Sequence, residues 1–216
     1  MKLWSYWRSS CTYRVRIALG LKGLAYEYVP VHLTRDGGEQ NRDEFSGLNP
    51  TRQVPVLELE DGAERLRLTQ SIAIIEYLDE RFPAPKLLPE IARDRAHARE
   101  LAEIVNSGIQ PLQNTSTLAE LRRLGVSTDD WCRHFIRRGL EALEAHARAR
   151  AGAFLLGDRV TLADVYLVPQ LYNARRFGAP LDALPTLLRA EASAQALPAF
   201  QAAAPEAQID AESSAP

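Results

Sequence analysis

Residues 54–69 read Val-Pro-Val-Leu-Glu-Leu-Glu-Asp-Gly-Ala-Glu-Arg-Leu-Arg-Leu-Thr, and this stretch decides the fold class. Apolar residues alternate with charged ones on both sides of Asp61-Gly62, which is the period of a half-buried strand broken by a turn dipeptide. An antiparallel hairpin is the predicted outcome. Upstream, Lys2 to Tyr6 is short and aromatic-rich and runs into Ser9-Ser10-Cys11, after which Val15, Ile17, Ala18, Leu19 and Leu21 fit one buried helix ending at Gly23. Tyr26 to Leu33 reads as a second strand, Asp36-Gly37-Gly38 as a turn, and Gln40 to Ser46 as a short charged helix. Downstream of the hairpin, Ile72, Ile75, Leu78 and Phe82 mark another amphipathic helix. A βαβ start needs a parallel pair and the hairpin adds antiparallel strands, so the first 82 residues predict a small mixed sheet with helices.

Pro83, Pro85 and Pro89 then interrupt helix, and beyond them Ala, Leu and Arg dominate with no strand pattern. The expected organisation is therefore an α/β domain over 1–82, a linker over 83–90 and an all-helical domain over 91–216. Breaks are expected at Gly108–Pro111, Gly125, Ala151–Gly157 and Gly178–Pro180, with a frayed tail after Phe200. Thr161-Leu162-Ala163-Asp164 matches a capping box, read as purely structural.

Of the 216 residues 46% are hydrophobic and 25% charged, so the chain can bury a core. Twenty-six basic against 28 acidic side chains leave a net charge of −2, which gives no bulk electrostatic reason to bind nucleic acid. Cys11 and Cys132 are too few and too distant for a disulfide framework, pointing to a reducing cytosol. No apolar run approaches the roughly 18 residues of a membrane span, and Lys2, Arg8, Arg14 and Arg16 interrupt any signal-peptide core. The four histidines never share a helix face, so no metal is expected.

Three places could carry chemistry. Ser9-Ser10-Cys11 sets two hydroxyls and a thiol where unpaired N–H groups and the helix dipole favour an anion such as a thiolate; an N-cap serine beside a buried cysteine is the plain alternative. Pro55 opens a strand it cannot join as a donor, so it marks an edge strand or a special turn. A cis bond there, found in about 5% of X–Pro bonds, would turn the Val54 backbone outward to pair with an extended peptide-like ligand. Gln70-Ser71 repeats the anion-site logic at the next helix start and is equally explained by capping.

Arg8-Ser9-Ser10-Cys11 with Arg14-Val15-Arg16-Ile17-Ala18-Leu19, Leu48-Asn49-Pro50, Gln53-Val54-Pro55, Gln70 to Leu78, Ile109 to Asn114 and Leu167-Val168-Pro169-Gln170 resembles the zeta-class glutathione transferases, over residues 2 to about 205. The resemblance implies a thioredoxin-like N-terminal domain with cis-Pro55, a helical C-terminal domain, a cytoplasmic homodimer, and glutathione as coenzyme. It implies that Ser9 hydrogen-bonds the glutathione sulfur with Ser10 and Cys11 nearby, that Val54 pairs with the cysteinyl backbone, and that Gln70 and Ser71 hold the γ-glutamyl carboxylate. Gln40, Gln53, Gln110 and Asn114 are further candidates for glutathione or cleft contacts.

The implied activity is cis–trans isomerisation of maleylacetoacetate to fumarylacetoacetate, in aromatic amino-acid catabolism. Such a dicarboxylate needs cations, for which Arg8 and Arg176 are the candidates, while Arg175 reads as a solvated surface charge. Maleylpyruvate or small α-halo acids are the alternative substrates, Gln110 standing where a histidine is expected in the maleylpyruvate relative. A non-catalytic interaction module is the alternative of another class. Tyr13, where tryptophan or histidine is common, and Thr115-Ser116, where Leu-Ser is common, depart from the family pattern without removing a group the chemistry requires.

Overall fold

The computed structural model describes residues 1–212. The chain forms two compact units, one comprising Met1–Pro85 together with the chain from Pro198 on, the other Lys86–Leu197.

In the first unit, β1 (Lys2–Ser5), α1 (Ser10–Leu21) and β2 (Glu27–Pro30) are followed by two 3-10 turns and α2 (Asp43–Leu48), then β3 (Val56–Asp61), β4 (Glu64–Thr69) and α3 (Ser71–Arg81). The sheet order is β2-β1-β3-β4, with β1 parallel to β2 and antiparallel to β3, and β3 antiparallel to β4. This is the mixed, thioredoxin-like sheet expected from the βαβ start and the hairpin. Leu3 faces Leu57, and Leu57 faces Leu68, while Glu58 faces Arg67 with a 2.9 Å ion pair. Opposed apolar and opposed charged pairs fix the register, because a one-residue slip would turn the leucines to solvent.

β2 is shorter than the expected 26–33. Its partner β1 ends at Ser5, whose carbonyl accepts from Val31 N–H at 2.7 Å, and past that point the chain has no ladder to join. α1 is buried nearly all round, and Arg14 and Arg16 are the largest fully buried side chains described. Lys22, at its end, donates to Asp79 at 2.8 Å and to the carbonyls of Phe82 and Pro85 at 2.7 and 3.0 Å, so a buried ammonium is fully hydrogen-bonded.

The second unit holds α4 (Ala92–Asn106), α5 (Thr115–Arg123), α6 (Thr128–Ala147), α7 (Leu162–Arg176) and α8 (Pro185–Gln195), with a 3-10 turn at Gln110–Gln113. The capping box forms: Thr161 donates N–H and hydroxyl to Asp164 at 2.8 and 3.0 Å, and Leu155 N–H donates to the other oxygen at 2.8 Å. Burial still pushes the Asp164 carboxyl up to about 6, against the pull of those donors.

The expectation of one helical domain to the chain end with a frayed tail is corrected here. The helical unit ends at Leu197, and α9 (Pro198–Ala203) belongs to the first unit and packs on α1, where a side chain at Gly20 would meet Ala199 Cβ at 3.3 Å. Arg16 donates to Ala203 O at 3.0 Å, and Asp210 and Glu212 are also tied to the first unit. Buried donors and a phenol that need acceptors hold this segment, an attraction the tail's own composition does not reveal. The last part of the expected fraying, residues 213–216, lies outside the described residues.

Candidate active site

The turn from β1 to α1 spans Tyr6–Ser9. Ser9 is the N-cap: its backbone is extended, its Oγ accepts from Thr12 N–H at 3.3 Å, and its own N–H donates to Tyr6 O at 3.0 Å. Oγ accepts from within the helix, and that bond does not use its hydroxyl hydrogen, which can donate to a ligand. Ser10 and Cys11 occupy the first two helical positions, whose N–H groups have no intrahelical acceptor and sit at the positive end of the dipole. Ser10 is buried, and Cys11 is a half-buried free thiol. Arg8, also half-buried, lies 5.1 Å over the Trp7 ring.

Arg16 fixes this turn from beneath. Its guanidinium donates to Trp7 O at 2.9 Å, Tyr6 O at 3.4 Å, Thr12 Oγ1 at 3.0 Å and Ser5 Oγ at 3.2 Å. Burial lowers its pKa, and the side chains of Tyr28, Tyr26, Tyr13 and Asp210 act in the opposite sense.

A second arm approaches β3. Asn49, buried, donates Nδ2 to Gln53 O at 2.7 Å and accepts from Thr51 N–H and hydroxyl at 3.1 and 2.8 Å, so the Leu48-Asn49-Pro50 motif shapes the loop before Val54. The Val54–Pro55 peptide is cis. The β3 ladder begins at Val56, which leaves the Val54 backbone outside it. Gln53 is half-buried. Gln40 is 8% exposed; its amide donates to Leu33 O at 3.2 Å, and its Oε1 is buried without a hydrogen-bond partner among the described residues.

The third element is the start of α3. Gln70 is the exposed N-cap residue, at φ +68°, a left-handed conformation that costs a non-glycine residue about 1–3 kcal/mol. Ser71 opens the helix, buried, and its Oγ accepts from Arg14 Nη1 at 3.2 Å. Ser9, Ser10, Cys11, Arg8, Gln40, Gln53, Val54, Gln70 and Ser71 thus all belong to the first unit, on its two principal helix N-termini and the loops between.

Gln110, Asn114 and Arg176 belong to the second unit. Gln110 starts the 3-10 turn and Asn114 is the N-cap of α5, its Oδ1 accepting from Thr115 hydroxyl at 3.3 Å. Gln113 between them donates to Gln170 of α7 at 2.6 Å, both side chains buried. Arg176 ends α7, exposed, with its guanidinium 5.0 Å over the Phe177 ring. Arg175 is exposed, as expected of a helix-surface charge, and is in addition paired with buried Glu191 at 2.6 Å, because α8 brings that carboxylate beside the last turn of α7.

Arg14, Arg16, Gln113 and Asp210 escaped sequence reasoning as site-supporting residues. Two arginines inside an otherwise apolar helix run, Tyr13 to Leu19, were the available signal for the first two; nothing comparable marks Asp210.

Among the described residues no helix is long and apolar enough to cross a membrane, and no cluster of three histidine, cysteine or acidic side chains could hold a metal ion. The family described as glutathione S-transferase, N-terminal domain matches residues 8–81, and glutathione S-transferase, C-terminal domain matches 135–203. Maleylacetoacetate isomerase of Pseudomonas aeruginosa is 47% identical over 213 residues, covering 97% of this chain and 98% of that protein. The crystal structure of maleylacetoacetate isomerase from Anaeromyxobacter dehalogenans with glutathione bound in the active site is 52% identical, with a TM-score of 0.90 over 98% of this chain and 97% of that one. A holo maleylpyruvate isomerase, a bacterial zeta-class glutathione S-transferase, is 43% identical, with a TM-score of 0.92 over 98% of this chain and 100% of that one.

Proposed function

The chain belongs to the glutathione S-transferase family, in its zeta class, and from this we propose that it is a glutathione-dependent cis–trans isomerase converting maleylacetoacetate to fumarylacetoacetate. The observation that carries the proposal is the Ser9 cap at the positive end of α1, where a hydroxyl able to donate and the first helical N–H groups suit an anionic sulfur. The groups present also fit the rest of the tripeptide: Val54 offers backbone outside its ladder, and Gln70-Ser71 a second helix start for a carboxylate.

When bound, glutathione supplies a thiolate that adds reversibly to the cis double bond, whose loss permits rotation before elimination. Ser9 holds the sulfur in its charged form, with Ser10 and Cys11 beside it at the helix start. Val54, Gln53 and Gln40 hold the peptide, and Gln70 with Ser71 its γ-glutamyl carboxylate. Arg8 orients a substrate carboxylate and offsets the negative charge that develops on addition, and Arg176, Gln110 and Asn114 are the second unit's candidates for binding the diacid and glutathione. The protein acts as a cytoplasmic homodimer.

Maleylpyruvate is the second reading, favoured by the likeness to that isomerase. Isomerisation of each diacid, with and without glutathione, tests both. Glutathione-dependent turnover of maleylacetoacetate is expected; none, together with no thermal stabilisation by millimolar glutathione, refutes the proposal.

A further inference from the structure

The segment after α9 returns to the turn that carries Ser9. Asp210 accepts from Trp7 N–H at 3.1 Å through Oδ2 and from the Tyr28 hydroxyl at 2.6 Å through Oδ1. Trp7 O is held by Arg16 at 2.9 Å, and Arg16 also donates to Ala203 O at 3.0 Å. Both polar backbone groups of Trp7, two residues before Ser9, are therefore fixed by one carboxylate from the chain's last residues and one guanidinium anchored to α9. Ala211 packs against the cluster of Tyr6, Trp7, Val31, Phe45, Val54 and Val56, which lines the same turn and the Val54 loop. The neighbouring charges are accounted for: Glu212 pairs with His32 at 2.8 Å and Arg35 at 3.4 Å, while the buried Arg16 guanidinium acts on the Asp210 carboxylate from beneath.

We propose that Asp210 is a positioning residue for the thiol-binding turn: its carboxylate, bridging Trp7 N–H and Tyr28 hydroxyl, sets where the Ser9 hydroxyl and the first α1 N–H groups point. The role rests on the glutathione reading above. It does not require Asp210 to touch substrate or coenzyme. The carboxylate accepts both bonds at once, one at each oxygen; an amide that keeps the Trp7 N–H bond turns its NH2 to Tyr28, whose hydroxyl must then change from donor to acceptor, and the charge is lost. Catalytic groups must be held tightly, since a displacement of about 1 Å costs up to about a hundredfold in rate.

The test compares Asp210→Ala, Asp210→Asn, Tyr28→Phe and the control Glu212→Ala in the full-length enzyme. Measured are kcat, the Michaelis constants for glutathione and for the maleyl diacid, the pH profile of kcat/KM, and the thermal midpoint. Asp210→Ala is expected to lower kcat/KM about tenfold or more at neutral pH and to move the profile upward, with an unchanged diacid Michaelis constant. Asp210→Asn and Tyr28→Phe should fall between it and the unaltered enzyme, and Glu212→Ala should match the latter. A lowered midpoint with an unmoved pH profile overturns the proposal, because a purely structural brace alters only stability. If Asp210→Ala does not fold, Tyr28→Phe decides, and its having an unaltered profile and kcat overturns the proposal. Absence of glutathione dependence in the unaltered enzyme instead refutes the functional reading, whatever the variants do.

Discussion

Replacing Ser9 by alanine removes two things that can be measured separately. The first is the cap: Oγ accepts from Thr12 N–H at 3.3 Å, at the long end for such a bond, so the loss falls in the lower part of the usual range, about 0.5–1 kcal/mol. The second is the hydroxyl, which as a donor to a charged sulfur contributes about 1.5–3 kcal/mol. A free thiol has a pKa near 8.5, and a tenfold change in acidity corresponds to about 1.4 kcal/mol. The variant should therefore make the bound thiol about 10- to 100-fold less acidic and lower kcat/KM by a similar factor at neutral pH. Activity should recover toward the unaltered level as the pH is raised. The ultraviolet absorbance of the thiolate follows the ionisation directly, and urea unfolding follows the cap. A stability loss of about 1 kcal/mol with an unmoved thiol titration would refute the reasoning, leaving Ser9 a helix cap and moving thiol activation to Ser10 or Cys11.

Removing one partner of the buried Lys22–Asp79 pair leaves the other without its counter-charge, so Asp79→Ala should cost about 3 kcal/mol in chemical unfolding, while the double variant Lys22→Met, Asp79→Leu should recover most of that loss. Asp164, pushed up to about 6 by burial, takes up its proton in the folded chain before the unfolded one as the pH falls. Its contribution is present below about pH 4 and lost as the pH rises through about 6, on the order of 3 kcal/mol in all; Asp164→Asn should remove that part of the pH dependence of unfolding and weaken the cap at every pH. Burial also pushes the Cys132 thiol up to about 11, with Asp129 adding to the rise, so alkylation of the folded protein at mildly alkaline pH should modify half-buried Cys11 and spare Cys132, as read by peptide mass. Equal labelling of both would refute that account.

The sheet was legible because its signals are local: the alternation across Asp61-Gly62 and the capping serine before α1 each sit within a dozen residues. The candidate residues of the first unit were legible for the same reason, being helix starts and one misplaced proline. What stayed hidden depends on partners far along the chain. Arg14 reads as a charge on a helix until Ser71, from another helix, accepts from it. Arg175 is the surface cation its sequence suggests, but its partner Glu191 lies on another helix and stays hidden in the sequence. Asp210 sits in a polar, low-hydrophobicity stretch, where composition suggests fraying, and no periodicity announces that Trp7 and Tyr28 donate to it. β2 ended early because β1 set its length, a property of the neighbour and not of residues 26–33.

The dependence of the first unit on residues from Pro198 on orders its assembly in time. During synthesis the sheet-forming half leaves the ribosome first, but the carbonyl of Ala203 that receives the Arg16 Nε–H is made only after the entire helical unit, several seconds later at roughly 5–20 residues per second. Until then one edge of a guanidinium destined for the interior lacks its acceptor and must stay hydrated, so the sheet-forming half waits as an incomplete intermediate that closes only once the residues from Pro198 to Ala203 have been added.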